Sequence, residues 1–431
     1  MTLRDTGPTT GPPHVVVVGA GPAGLMAAEQ MAADHRVTVV DHMASAGRKL
    51  LVAGRGGLNL THSEPLEQFL DRYGPARARL EPAVRAFCPE DLRAWSAGLG
   101  QPTFVGSSGR VFPESFRATA LLTAWLDRLH RLGVELRLGL RWDGWTDAGP
   151  RFRPTGRAAQ DAGEEHLQAE ASVLPADATV LALGGGSWAR TGSDGGWTSV
   201  LQAAGIGVAP LRPANCGFTV AWSDHVTSRH AGDPLKNIGL SFGGRVVRGE
   251  AMLTDDGIEG TAVYALSGDL RAALDAGRSA VLEVDLRPDL SADALAGRLA
   301  ARRPKESTTR WLRHAGGLAP VAVALLRDAR PDLPEDPGEM ARLVRSCPVA
   351  LTGVAPVDRA ISTAGGVHLD EVDEHFMLQA RPGTFVAGEM LDWDAPTGGY
   401  LLQATFSTAV MAAEGVRVWL AGRPGSAPSE L

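Results

Sequence analysis

His14-Val-Val-Val-Val-Gly-Ala-Gly-Pro-Ala-Gly-Leu-Met-Ala-Ala28 runs a buried-strand pattern straight into a glycine turn and then a helix. The four valines are β-branched and leave no polar face, as a central parallel strand requires. Gly19, Gly21 and Gly24 carry the G-x-G-x-x-G spacing, with Pro22 and Ala23 between them. The first glycine allows the tight turn, the second lets a backbone approach a pyrophosphate, and the third lets the helix pack on the strand. The helix N-terminus then meets the phosphate charge. A second apolar strand, Arg36-Val-Thr-Val-Val40, ends in Asp41, about 20 residues beyond the glycines, where an acid can bind ribose hydroxyls. Strand, turn, helix, strand and acid in this order predict a dinucleotide-binding α/β domain.

The chain's 431 residues are enough for two or three domains. A net charge of −7 offers no global attraction to nucleic acid or an anionic membrane, although a local basic patch remains compatible with it. Positive charge is almost all arginine, Lys49, Lys236 and Lys305 being the only lysines, so arginine abundance by itself does not indicate phosphate binding. Cys88, Cys216 and Cys347 are far apart and form no C-x-x-C, so neither a redox dithiol nor a metal site is signalled. The first 13 residues lack a signal-peptide pattern, and the apolar run at 15–28 is too short and glycine-rich to span a bilayer. The expectation is a cytoplasmic protein.

Between residues 46 and 62 lies a polar, glycine-rich loop too chemically dense to be a plain connector. Arg48 and Lys49 offer charge-assisted donors to phosphates, and Gly54, Gly56 and Gly57 permit close approach to a ring system. Residues 65–99 read as helical, 106–113 as a second loop, 118–132 as an amphipathic helix and 134–140 as a strand. Arg110, in that second loop, suits an anionic substrate or a ring carbonyl, with a loop-stapling ion pair as its competing role. The strand Thr179-Val-Leu-Ala-Leu183 runs into a second glycine turn, which resembles the turn that closes the dinucleotide-binding half of many nucleotide-binding proteins, and the resemblance implies that Ala182, Leu183 and Gly184 contact the ligand. Residues 151–171 are polar and aperiodic and read as a hairpin insertion. Short alternating strands dominate 213–265 and proline-separated helices 267–346, including 292–302, 308–315 and 321–329. The resulting division is 1–196 for the first segment of the nucleotide domain, 197–265 for an inserted β-subdomain, 266–350 for an inserted helical subdomain and 351–431 for the second segment.

That last segment carries a strand, a glycine with an acid, a loop, and a helix expected to begin near Thr397. Gly388 lets a backbone come close and Glu389 can accept from hydroxyls. The amides around Gly398, Gly399, Tyr400 and Leu401 form a helix N-terminus able to stabilise negative charge on a ring edge. Candidate catalytic groups are Arg110, Tyr400 and Asp392, with packing or structural roles as the alternatives for the last two. Asp394 and His368 are weaker candidates, and Trp393 suits stacking or core packing equally. Arg302, Arg303, Lys305, Arg310 and Arg313 with Trp311 form a basic, partly aromatic cluster, read either as an RNA-facing surface or as a solvated helix face.

Five motifs taken in order carry a family resemblance: Gly19-Ala-Gly-Pro-Ala-Gly24, Gly47-Arg-Lys-Leu through Asn59, Gly109-Arg-Val-Phe-Pro113, Ser362-Thr-Ala-Gly-Gly-Val367, and Ala387-Gly-Glu-Met-Leu-Asp through Tyr400. Over nearly its whole length the chain resembles the BaiN/RdsA-type (YhiN-like) flavoproteins of the glutathione-reductase-like superfamily. The resemblance implies FAD, with Asn59 among its contacts, held by a Rossmann domain that is split by an inserted β-subdomain and helical subdomain. It also implies a redox enzyme, with three kinds of chemistry among relatives: reduction of an enone-like carbon–carbon double bond, reduction of uridine in ribosomal RNA to dihydrouridine, and oxidation of small amines. A flavin-binding protein without turnover is the reading outside enzymes. Leu58 stands where many relatives carry a cysteine, which removes a redox thiol from that loop. No second G-x-G-x-x-G follows a strand, so NAD(P)H as donor would visit the flavin transiently. The substrate expected is a small unsaturated molecule, and the oligomeric state is left open.

Overall fold

The computed structural model describes residues 11–54, 56–155 and 171–423. These form two compact units, one comprising the residues up to Arg212 with those from Thr363 onward, the other Pro213–Ser362.

In the first unit, β1 (His14–Val18) feeds α1 (Pro22–Met31) and then β2 (Arg36–Asp41). A short helix, α2 (Arg48–Ala53), follows, then β3 (Glu135–Leu138), β4 (Ala178–Leu181), β5 (Thr384–Val386) and the long helix α3 (Tyr400–Ala421). The five strands make one all-parallel sheet in the order β5-β4-β1-β2-β3. Val15 lies opposite both Val37 and Ala178. The unbroken valine run is explained by burial on both sides: Val15 and Val17 enter the cluster under α1 and α3, while Val16 and Val18 enter the cluster on the opposite face, with Trp142 and Trp197. A crossover sheet buried on both faces is the Rossmann arrangement, and its ligand crevice lies beyond the carboxyl ends of the strands.

The second unit is built on a seven-stranded antiparallel sheet. Its members run from Phe218–Thr219 to Gly353–Val354, and Ala280–Asp285 and Cys347–Leu351 pair with each other at one edge. Helices Thr261–Asp275, Thr308–His314 and Pro320–Ala329 share one apolar core with it, including Leu240, Leu266, Trp311 and Leu325. Strands drawn from the stretch dense in helices thus join the sheet begun earlier in the chain.

Several local expectations change. Residues 110–113 are not loop but strand, Arg110–Pro113, paired with Thr103–Val105 and with Thr61–His62. The long loop after Asp41 contains α2. The strand expected over 134–140 stops at Leu138 because Gly139 adopts φ +77. The last helix begins at Tyr400 rather than Thr397, since Gly398 (φ +137) and Gly399 (φ +100) hold conformations no right-handed helix contains. Trp311 is fully buried and donates its indole N–H to the Leu299 carbonyl at 2.8 Å, under the guanidinium of Arg302. It is core, not part of an exposed aromatic surface. Most of the insertion expected at 151–171 lies outside the described residues, which are flanked there by strands Gly149–Pro154 and Ser172–Val173.

Candidate functional site

The three glycines of the first turn divide the work unequally. A Cβ on Gly19 would sit 2.2 Å from the Ala182 carbonyl oxygen, and one on Gly24 would sit 1.8 Å from that of Gly19. Both glycines therefore serve the fold, locking α1 against β1 and β4. A Cβ on Gly21 would meet nothing within 4 Å. Gly21 is the N-cap of α1 and supplies no capping side chain, so the first-turn amides face open space. A pyrophosphate suits these amides, and Pro22 pre-sets the helix start.

Asp41 closes the turn from below. Its Oδ2 accepts from the Ala20 amide and its Oδ1 from the Met43 amide, each at 2.7 Å. Each oxygen keeps a second lone pair for a ribose hydroxyl. Beside it is a cavity of about 170 Å3 bordered by Val18, Val40, Asp41, His42, Trp142 and Asp194. Trp142 forms part of its wall, with its indole N–H buried and without an acceptor among the described residues. A slot that combines the apolar Val18, Val40 and Trp142 with the Asp41 carboxylate suits an adenosine. Burial and the nearby Arg141 push His42 below the ordinary histidine range, against the pull of Asp41 and Asp194. Burial alone would raise Asp194, yet the Gly196 amide and Arg141 bring it below the usual aspartate value.

The loop after β2 is tied to the turn by the Gly47 amide, which donates to the Ala20 carbonyl at 2.8 Å. Among the described residues, Arg48 has a buried Nε–H without a partner, and its only side-chain hydrogen bond is a 3.5 Å contact with Ser45. That orphaned donor is a second sign of an acidic ligand. Lys49 is already engaged: Nζ donates to Glu389 Oε2 at 2.7 Å and to Ser187 Oγ at 2.8 Å. Glu389 also accepts from the amides of Thr363 (2.9 Å) and Gly185, while Thr363 Oγ1 takes those of Gly186 and Ser187. Lys49 and Glu389 thus clamp the second glycine turn to the C-terminal segment. The sequence reading missed Ser187 and Thr363, although Ser187 follows the Gly184–Gly186 run and Thr363 lies two residues before Gly365-Gly366.

The remaining positions sort by contact. Gly54 packs on Ala118 and Gly57 (φ +112) lies beneath Phe116, while Gly56 has open space. Asn59 donates to the carbonyls of Thr61 and Val111, bracing the loop. Leu183 donates its amide to the Met390 sulfur, and Gly184 accepts from the Trp197 indole. Gly388 (φ +77) comes so close to α1 that a Cβ would lie 2.9 Å from that of Ala23. At the start of α3, a Cβ on Gly399 would lie 2.5 Å from the Thr61 Cα, so the helix N-terminus abuts the loop end directly. Thr397 precedes it and Leu401 follows, half-buried.

Of the three candidate catalytic groups, Tyr400 is almost wholly buried among His62, Phe69 and Tyr73. Burial and the hydrogen bond to Glu64 push its hydroxyl far above the ordinary tyrosine range. Arg110 shares a strand register with His62, is half-buried, and has no hydrogen-bond or ion-pair partner for its guanidinium among the described residues. Asp392 is raised above the usual aspartate value by burial, partly opposed by His368, whose Nδ1 is 3.7 Å away.

Fold and site define a Rossmann-type dinucleotide-binding protein, and the class is that of the FAD-dependent oxidoreductases. The chain belongs to the family described as the HI0933-like protein Rossmann domain, matched over residues 13–415. It is 25% identical over 418 residues to the 3-dehydro-bile acid delta(4,6)-reductase of Clostridium scindens, covering 93% of this chain and 98% of that one. It is 23% identical to the ribosomal RNA dihydrouridine synthase of Escherichia coli, with 91% and 95% covered. Among solved structures, 3-ketosteroid delta1-dehydrogenase from Sterolibacterium denitrificans shares the fold at a TM-score of 0.51 and 12% identity, over 94% of this chain and 99% of that one.

Proposed function

We propose that the protein is an NAD(P)H-linked reductase that delivers a hydride through FAD to a carbon–carbon double bond of a small molecule. The observation that carries the nucleotide part is the open approach at Gly21 beside the orphaned Arg48 and Trp142 donors. The name of the reductase relative, aligned over nearly the full length of both chains, supports the substrate part.

When bound, FAD supplies the two-electron chemistry by accepting and donating a hydride. The chain's own residues do the rest. Gly21 and the first turn of α1 hold the diphosphate, and Asp41 with the Trp142 slot holds the adenosine. Arg48 neutralises phosphate. The N-terminus of α3, set by Gly399 against Thr61, places amide dipoles where negative charge develops on a ring edge. Arg110, with no protein acceptor to satisfy, holds a substrate carbonyl or carboxylate and withdraws charge from a conjugated double bond. Asp392, its affinity for a proton raised by burial, is the proposed source of the proton that completes reduction. Tyr400 stays protonated and positions the helix start. The donor visits transiently, and the reading places the protein in the cytoplasm.

Anaerobic addition of NADH or NADPH to the yellow protein tests this. Bleaching of the flavin band within seconds by one of the two is expected. No bleaching by either overturns the reductase reading. Arg110→Ala is expected to retain FAD while lowering kcat/KM at least about tenfold, the scale of a lost charge-assisted contact.

A further inference from the structure

Three arginines converge on one cleft of the inserted unit. The cleft, about 540 Å3, lies between helices Asp224–His230, Thr308–His314 and Pro320–Ala329. Its polar lining is His225, Arg229, His230, Thr309, Arg313 and Arg327, and no carboxylate among the described residues lines it. Arg327 donates to Thr309 Oγ1 at 2.9 Å, and His230 is paired with Asp233. Arg229 and Arg313 have no hydrogen-bond or ion-pair partner among the described residues.

The chain carries a net charge of −7, and several arginines elsewhere in this unit have acids beside them, as Arg245 does with Asp269, Arg248 with Asp289 and Arg345 with Asp285. Arg310, next in sequence to Trp311, is 3.8 Å from Glu306. Gathering like charges around a shared concavity costs repulsion, which an anion in the cleft relieves, and the apolar wall of Val323 and Ala324 strengthens that attraction by excluding water. Each guanidinium can meet a phosphate in a forked pair of hydrogen bonds, so two free arginines beside a third offer donors for more than one anionic group. The volume falls in the range of small-ligand pockets, roughly 300–1,000 Å3, and a single phosphate would leave most of it unfilled.

We propose that this cleft binds a small molecule bearing two or more phosphate groups, through Arg229, Arg313 and Arg327 of the inserted unit. The test is calorimetric titration of the FAD-saturated protein with pyrophosphate and with inorganic phosphate, at low and at physiological salt. Saturation of the dinucleotide turn with FAD keeps the probe out of it. Pyrophosphate is expected to bind one site about tenfold more tightly than phosphate, weakening with salt. Arg229→Ala and Arg313→Ala are each expected to weaken it about tenfold, with the flavin spectrum and Tm unchanged. Absence of saturable binding, or binding that survives the double variant, overturns the proposal. So does affinity for RNA oligonucleotides that exceeds that for pyrophosphate and grows with length, which would make the cleft part of an RNA surface.

Discussion

Gly21 and Gly24 are three residues apart and carry opposite predictions. A side chain at Gly21 points into free space at an ordinary φ of −87°, so Gly21→Val is expected to leave the melting temperature nearly unchanged while abolishing retention of FAD through gel filtration. Gly24→Ala instead drives a methyl into the Gly19 carbonyl and is expected to cost about 2–4 kcal/mol of stability in urea unfolding. Equal destabilisation by both would refute the division of labour. The motif spacing made all three glycines legible, because their roles are local. The roles of Lys49 and Glu389 were less so. Each was read as a ligand contact on its own, and only the folded chain shows them bonded to each other across 340 positions. With side chains 26% and 16% exposed, the pair is half-shielded, and Glu389→Gln is expected to cost about 1–3 kcal/mol and to loosen the second glycine turn. A double-mutant cycle with Lys49→Met, followed by urea melts, would expose the coupling.

At the scale of elements, the parallel strands and α1 were readable because a valine run and a glycine fingerprint report on few alternatives. The short strand Arg110–Pro113 was not. Four residues containing Gly109 on one side and a proline at the end look like a loop, and it is pairing with Thr103–Val105 and Thr61–His62 that makes them a strand. The start of α3 lies beyond Thr397 for a related reason: Thr397 is a good N-cap in isolation, whereas both following glycines hold positive φ, Gly399 where it approaches Thr61 and Gly398 beside the Tyr400 ring. That approach yields a test. Gly399→Ala is expected to destabilise the protein by about 2–4 kcal/mol and to release FAD, because neither the φ of +100 nor the 2.5 Å approach accommodates a methyl. Urea unfolding monitored by flavin fluorescence would show both effects, and an unchanged midpoint would argue that the loop yields freely.

For the whole molecule, two histidines of the nucleotide-binding unit, His14 and His42, contribute to its response to acid. Burial lowers His14, opposed by the Pro175 carbonyl and helped by Arg36; burial and Arg141 lower His42. An imidazole whose folded pKa lies below its unfolded value near 6.5 favours the fold fully above that value. As pH falls below it, the unfolded chain takes up protons first and stability drops until the folded pKa is passed. The urea midpoint is therefore expected to fall between about pH 7.5 and 5.5, and the double variant His14→Gln, His42→Gln to flatten that limb. Undiminished slope in the double variant would assign the acid response elsewhere.

The sheet order has a consequence for birth on the ribosome. β5, the partner of one edge of β4, is made about 200 residues after it, and at roughly 5–20 residues per second the wait is about 10–40 s. Throughout that interval the nascent sheet presents a bare, apolar edge to the cell while the whole inserted unit is being synthesised. Heterologous production is thus expected to be limited by how well trigger-type chaperones shield this edge. Slowing translation would lengthen the exposure, and chaperone supply would be the lever on soluble yield.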